Sequence, residues 1–190
     1  MHVVRLLLLA LVLALSACGG GDGESASDEF DPETTYDLVL DTNKGSFTIE
    51  LDQELAPNTV KSLVKLAKDG FFDGTNFHRV VPGFVIQGGD PNGDGTGGPD
   101  YSVVDTPPSD AAYTKGVVAM AKTGAEPPGT SGSQFFVVTG ADIGLPPDYA
   151  LLGNVTKGID VVEKIDKLGD PADQAGTPTK KVTIEKVTIS

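Results

Sequence analysis

One arginine and one glutamine stand among phenylalanines and valines in the run FHRVVPGFVIQGGD, residues 77–90. Arg79 offers a permanent positive charge with several N–H donors, and Gln87 offers both a donor and an acceptor. Pro82 and Gly83 divide the run into two short strand pieces, from which polar side chains could emerge onto an apolar surface, as in a binding cleft. An ordinary strand pair, with an arginine whose stem is buried and whose head reaches water, fits the same residues.

Counting excludes several other chemistries. Cys18 is the only cysteine, and a mature chain beginning there would carry a single histidine, His78, so a His-rich zinc site and a cysteine nucleophile are ruled out. A Ser-His-Asp triad would need His78 as its base. Neighbours on a strand face opposite sides, so an Arg79 that faces a cleft sends His78 toward the core. Asp90, Asn92, Asp94 and Gly95 match the first half of a calcium loop, but the twelfth position is Tyr101 rather than a bidentate glutamate, and no helix precedes it. The glycines of residues 93–98 are followed by no Lys-Ser/Thr pair, as a phosphate cradle would require. Neither a metal nor a cofactor is expected.

The elements that must hold Arg79 and Gln87 are mostly strands. The chain of 190 residues, 39% hydrophobic with Gly 24 and Pro 13, has room for one β-rich domain with many turns. Its net charge of -13, with no basic run, excludes nucleic acid as a partner. Leu38 and Leu40, then Phe47, Ile49 and Leu51, alternate about a turn at 42–45 and predict a hairpin. Pro57, Val60, Leu63, Val64 and Ala67 predict an amphipathic helix that stops at Gly70. Residues 115–121, 133–138 and 151–155 read as strands, and a proline- and glycine-rich loop covers 122–132. A second helix spans 158–168, with Val161, Ile165 and Leu168 on one face. The slip between Val182/Ile184 and Val187/Ile189 predicts a bulge near Glu185 and Lys186.

Residues 1–17 read as an export signal: Arg5 is followed by an apolar run too short to span a bilayer, and Leu15-Ser16-Ala17-Cys18 resembles the lipobox of bacterial lipoproteins. Cys18 is then the lipidated residue of a chain anchored outside the cytoplasm. Residues 18–35, glycine- and serine-rich with six acids and no base, read as a flexible acidic tether, and 36–190 as the domain.

Four motifs, in order, resemble the cyclophilin family of peptidyl-prolyl cis/trans isomerases. They are residues 77–90, Gly95-Thr96-Gly97-Gly98, the run GVVAMA at 116–121 and GSQFFV at 132–137. The resemblance covers about 155 residues. It implies a mainly β fold, a closed eight-stranded antiparallel barrel capped by two helices. It implies that Arg79, Gln87 and Phe84 are catalytic, and that Val85, Phe136 and Leu145 line a proline pocket with Phe84. It also places Ala121, Lys122, Gln134 and Tyr149 along the substrate groove. The implied partners are proline-containing segments of folding exported chains, met by a monomer that touches the membrane only through its lipid.

The chemistry accounts for that choice of residues. Rotation about an X-Pro bond breaks amide resonance, with a barrier near ~18–20 kcal/mol. Twisting returns a lone pair to the prolyl nitrogen, and a donor aimed there stabilises the twisted state and not the planar one. Arg79 matches that role. Three departures from the family accompany it: Lys122 replaces an asparagine, Gly144 falls where a tryptophan often lies, and Tyr149 replaces a histidine. They imply an altered sequence preference and weak cyclosporin binding. They also leave open a catalytically weak module that holds proline segments as a chaperone would.

Overall fold

The computed structural model describes residues 30–173 and 175–190. The expected signal, Cys18 and residues 18–29 lie outside the described residues. The first hairpin forms where the alternation demands it: β1 (Asp37–Thr42) and β2 (Gly45–Leu51) pair from Asp37↔Glu50 to Thr42↔Gly45 across a two-residue loop. Helix α1 (Pro57–Lys68) follows, with proline in its first turn. Gly70, at φ +72, and Phe71 close it by donating to Ala67 O and Leu66 O.

The start of α1 is capped from a distance. Ala56 stands at the N-cap and has no side-chain acceptor for the first amides of the helix. The buried Asp105 carboxylate, 46 residues on, takes the Thr59 amide at 2.6 Å and its hydroxyl at 2.7 Å, and the Asn58 side-chain amide at 2.8 Å. It does the work that Ser or Asp performs at an ordinary helix start.

The remaining strands are β3 (Arg79–Val81), β4 (Val85–Gly88), β5 (Val103–Val104), β6 (Val117–Met120), β7 (Thr130–Ser131), β8 (Phe135–Val138), β9 (Leu151–Lys157) and β10 (Ile184–Ile189). Eight of them form one antiparallel sheet in the order β10-β1-β2-β9-β6-β8-β4-β3. Helix α2 (Ile159–Asp166) begins after Gly158, which is left-handed at φ +75, and ends two residues before the expected Leu168. The bulge predicted near Glu185 is present: Asp41 pairs with Lys186 and Thr42 with Ile184, so Glu185 is the extra residue.

The architecture is mainly β with two helices, but the expected closed barrel is a curled half-barrel. β3 and β10 share no ladder. The gap is crossed instead by the segment before β3, where Gly74 and Phe77 donate to Ile184 O and Val182 O, and Ile184 donates to Thr75 O. Proline and glycine turns at both approaches keep these residues from becoming a regular strand pair.

The sheet has two buried faces. Leu38, Ile49, Val80, Ile86, Val118, Met120, Phe135 and Val137 point inward and form the main core with both helices. Val85, Ala119, Phe136 and Val138 point outward and build a second cluster with Tyr113, under loops that carry Ile143, Leu145 and Tyr149. Strands buried on both sides need no polar alternation, which is why β6 and β8 read as unbroken apolar runs. At the N-terminal edge, residues 30–35 of the expected tether contact the domain: Phe30 stacks on Tyr36 with centroids 5.4 Å apart, and Gln53 donates to Thr34 O.

Candidate active site

The outward face gathers the chemistry. Arg79↔Gln87 and Val81↔Val85 are opposed pairs of β3 and β4, so the pleat puts Arg79, Gln87 and Val85 on one side and sends Val80 and Ile86 into the core. Gln87 then pairs with Phe136 of β8. Phe84 sits in the β3–β4 turn and holds it shut, donating to Val81 O and accepting from the Thr139 amide. At the end of α2, Asp166 braces the turn by accepting from the Gly83 amide at 3.1 Å and the Thr139 hydroxyl at 2.7 Å.

A cavity of about 190 Å³ opens there, lined by Arg79, Phe84, Val85, Gln87, Ala121, Lys122, Phe136, Leu145 and Tyr149. Nine of the ten groove residues expected from the sequence thus meet in one place. The tenth, Gln134, lies in the adjoining cavity of about 320 Å³, which it shares with Gln87, Ala121 and Lys122. The floor is aromatic: Phe136 and Tyr149 meet edge to face at 5.5 Å, and Tyr113 packs against both.

At the rim, the Arg79 guanidinium carbon lies 5.9 Å from the Phe84 ring centroid. Among the described residues no hydrogen bond or ion pair occupies the guanidinium, so its donors face the cavity mouth uncommitted. Beside it runs a chain of amides. Gln134 Nε2 donates to Gly95 O at 3.0 Å and Gly97 O at 2.9 Å, which fixes its oxygen toward Gln87, and Gln87 Nε2 donates to that oxygen at 3.1 Å. Gln87 is thereby fixed through its amide nitrogen and lines the cavity opposite Arg79, its partner across the β3–β4 ladder.

The loop that receives Gln134 is itself pinned. Asp90 is fully buried, and its carboxylate accepts from the amides of Asn92, Asp94 and Gly95. Gly97 allows this closeness, since a Cβ there would stand 2.1 Å from Asp90 Oδ1. These oxygens face backbone amides, and the described residues contain no cluster suited to a metal ion. Burial would raise the Asp90 carboxyl, but the amide donors outweigh it and hold the group below the ordinary carboxylate value. A depressed pKa contributes stability above the unfolded value of about 3.9, and that contribution is lost as pH falls through the folded value. The stability gap between wild type and Asp90→Asn is therefore expected to be constant above about pH 5 and to shrink below about pH 4, read from denaturant melts.

One residue, His78, differs from its sequence reading, and a second, Lys122, lies where expected with its charge turned to the protein. His78, expected to face the core, is half-buried beside the 90–95 loop, because β3 starts at Arg79 and strand alternation does not extend back to it. Burial first, and Arg79 with it, hold its pKa down against the pull of Asp90 and Asp94. Lys122 borders both cavities, but its ammonium is committed to the protein. With a side chain only 4% exposed, it donates to Glu126 O at 3.1 Å and Thr123 O at 3.3 Å, meets Asp148 at 3.3 Å and lies over the Tyr149 ring at 5.6 Å. It clamps the 122–129 loop to the wall that carries Tyr149. Lys122→Met is expected to raise KM for a proline peptide about 3- to 10-fold and leave kcat within about twofold, by loosening that wall rather than the chemistry, as steady-state kinetics would show.

Sequence reasoning missed Tyr113. Its hydroxyl donates to Tyr149 O at 2.7 Å and accepts from the Tyr149 amide at 3.0 Å, fixing the pocket wall from below, and burial raises its pKa. An isolated tyrosine in the aperiodic run SDAAYTKG gives no signal of such a role.

Comparison with known proteins agrees with this geometry. Residues 37–189 match the family model described as cyclophilin type peptidyl-prolyl cis-trans isomerase/CLD. The chain is 42% identical over 134 residues to peptidyl-prolyl cis-trans isomerase B of Bacillus subtilis, covering 70% of this chain and 90% of that protein. It is 38% identical over 177 residues to peptidyl-prolyl cis-trans isomerase A of Mycobacterium tuberculosis, covering 84% and 94%. A Cryptosporidium parvum cyclophilin type isomerase superposes with a TM-score of 0.74 at 29% identity, over 83% of this chain and 98% of its own. A further structure of that protein was determined in the presence of the dipeptide Ala-Pro. A matched span that takes in every strand of the sheet and the whole outward pocket leaves one assignment: the chain belongs to the cyclophilin-type peptidyl-prolyl cis-trans isomerases.

Proposed function

We propose that the outward pocket takes the prolyl ring of an exported polypeptide and that Arg79 drives the isomerisation. Phe136, Val85, Leu145 and Phe84 enclose the ring, and Tyr149, Ala121 and Lys122 bound the neighbouring residue. Gln87, held by Gln134, accepts a substrate amide or steers Arg79. As the bond twists, the guanidinium donates to the pyramidal nitrogen, and no covalent step is needed. The observation that carries the reading is a guanidinium that makes no hydrogen bond or ion pair among the described residues, at the mouth of a small pocket walled by aromatic and aliphatic side chains. Weak cyclosporin binding is part of the same reading, and its support is the sequence alone, which has Gly144 where the family often carries a tryptophan.

The test is an isomerisation assay of the full chain on an Ala-Pro peptide. Acceleration with saturation supports the enzyme, whereas binding without acceleration would favour the weak proline-holding module. The proposed place of action is the outer side of a bacterial membrane, where the monomer is held by lipid on Cys18 through the acidic tether. Its support is the lipobox-like run before Cys18. Mass spectrometry of the mature N-terminus should find an acylated Cys18, and Cys18→Ala should leave the membrane fraction. An unmodified N-terminus would end the anchoring proposal.

A further inference from the structure

Three cavities adjoin along one flank of the molecule. The proline pocket shares Gln87, Ala121 and Lys122 with the cavity beside it, and that cavity shares Tyr101 with a third of about 660 Å³. The third cavity is a groove along the outer side of α1. Val64, Val103 and the rings of Phe30 and Tyr101 give it apolar walls, and Lys61 and Lys65 stand on its rim one helical turn apart, with Lys65 in an exposed ion pair with Asp69. Tyr101, 44% exposed, is held upright between the two cavities by a 3.0 Å hydrogen bond with Ser62. Val104 beside it is 49% exposed.

Neither isomerisation nor the fold requires these features. Large apolar side chains left in water over a continuous surface mark an interaction site more often than chance. The charge is equally out of keeping: in a chain of net charge -13, the groove carries lysines, with Asp69 as the one acid among its lining residues.

We propose that the α1 groove is a second binding surface for the client polypeptide, one that takes an apolar side chain flanked by acidic residues at a distance from the proline. The proposal rests on the prolyl-isomerase reading of the first pocket and extends it. Continuity identifies the occupant, because an extended chain leaving the proline pocket along the shared walls passes the backbone-lined cavity and reaches Tyr101. About ten extended residues span on the order of 33 Å, close to the width of a domain of this size, so a short unfolded segment bridges both sites. Linkage turns a weak second contact into a sizeable gain in affinity without any new catalytic group.

The test compares a short Ala-Pro peptide with peptides extended by about ten residues on either side, carrying a Leu-Glu-Leu-Glu run or its Leu-Lys-Leu-Lys counterpart. The full chain is used throughout. One acidic extension is expected to bind at least about 10-fold tighter than the short peptide, and the basic one to show no gain. The gain should shrink as salt is raised and disappear in Lys61→Glu/Lys65→Glu, whose kcat/KM on the short peptide stays unchanged. An equal affinity for all peptides, or a gain that survives the double substitution, would overturn the proposal.

Two other occupants would also overturn it. If the gain appears only after Asp22, Glu24, Asp28 and Glu29 are neutralised together, the chain's own acidic segment fills the groove. If wild type self-associates and the double variant does not, a second copy fills it. Failure of the underlying isomerase reading looks different, since the short peptide itself would then not be turned over.

Discussion

Arg79→Ala is expected to lower kcat/KM on a proline peptide by about 10²–10³, mostly through kcat, with the fold intact. That loss corresponds to about 3–4 kcal/mol of transition-state stabilisation, the range found when one donor to a developing lone pair or oxyanion is removed. The native state gives up little. The guanidinium has no hydrogen bond or ion pair among the described residues, and its contact with the Phe84 ring is worth about 0.5–1 kcal/mol at most. Arg79→Lys should restore only part of the rate, because a single ammonium cannot hold the rim of the pocket and the twisted amide with one planar fork. Isomerisation kinetics beside thermal melts check the pair of claims. A variant with near wild-type turnover, or one that loses its melting transition, would contradict them.

The largest effect on stability alone is expected at Asp105, far along the chain from the pocket. Asp105→Ala removes the acceptor for the Thr59 amide and hydroxyl and for Asn58, and leaves the buried start of α1 without a cap. Loss of an N-cap costs about 0.5–2 kcal/mol, and leaving buried donors unpaired adds about 1–3. A total of about 2–4 kcal/mol lowers Tm by roughly 5–15 °C for a domain of this size. Below the melt, kcat/KM should stay within about twofold, because α1 packs against the inner core and the proline pocket lies on the outward face. Asp105→Asn, which keeps one acceptor oxygen, should recover part of the loss.

The elements written in regular periods were legible from sequence. The hairpin of β1 and β2 follows period 2, α1 and α2 follow period 3.6, and the slip between Ile184 and Val187 announces the extra residue at Glu185. The groove was legible too, through four short motifs rather than through any single residue. What stayed hidden depends on partners far apart in the chain. Asp105 acts on Thr59, Tyr113 on Tyr149 and Asp166 on Gly83, and each pair joins aperiodic segments whose meeting is decided only by the finished fold. The two-residue strands β5 and β7 are too short to carry a period. Lys122 shows a further limit: its position beside the groove could be read, but not that Asp148 and two carbonyls would turn its charge inward. Closure of the barrel was overstated because the resemblance supplied strand number, and strand number does not fix whether the last edge pairs.

Val80 and Arg79 are adjacent in sequence yet belong to opposite faces of one sheet, and the same holds for Ile86 and Gln87 and for Phe135 and Phe136. Such a layout separates two kinds of evolutionary freedom. Outward changes leave the main core untouched and load only the smaller outward cluster, so a library that varies Gln87, Leu145 and Tyr149 and keeps Val85, Ala119, Phe136 and Val138 apolar should yield many folded proteins with redirected appetites.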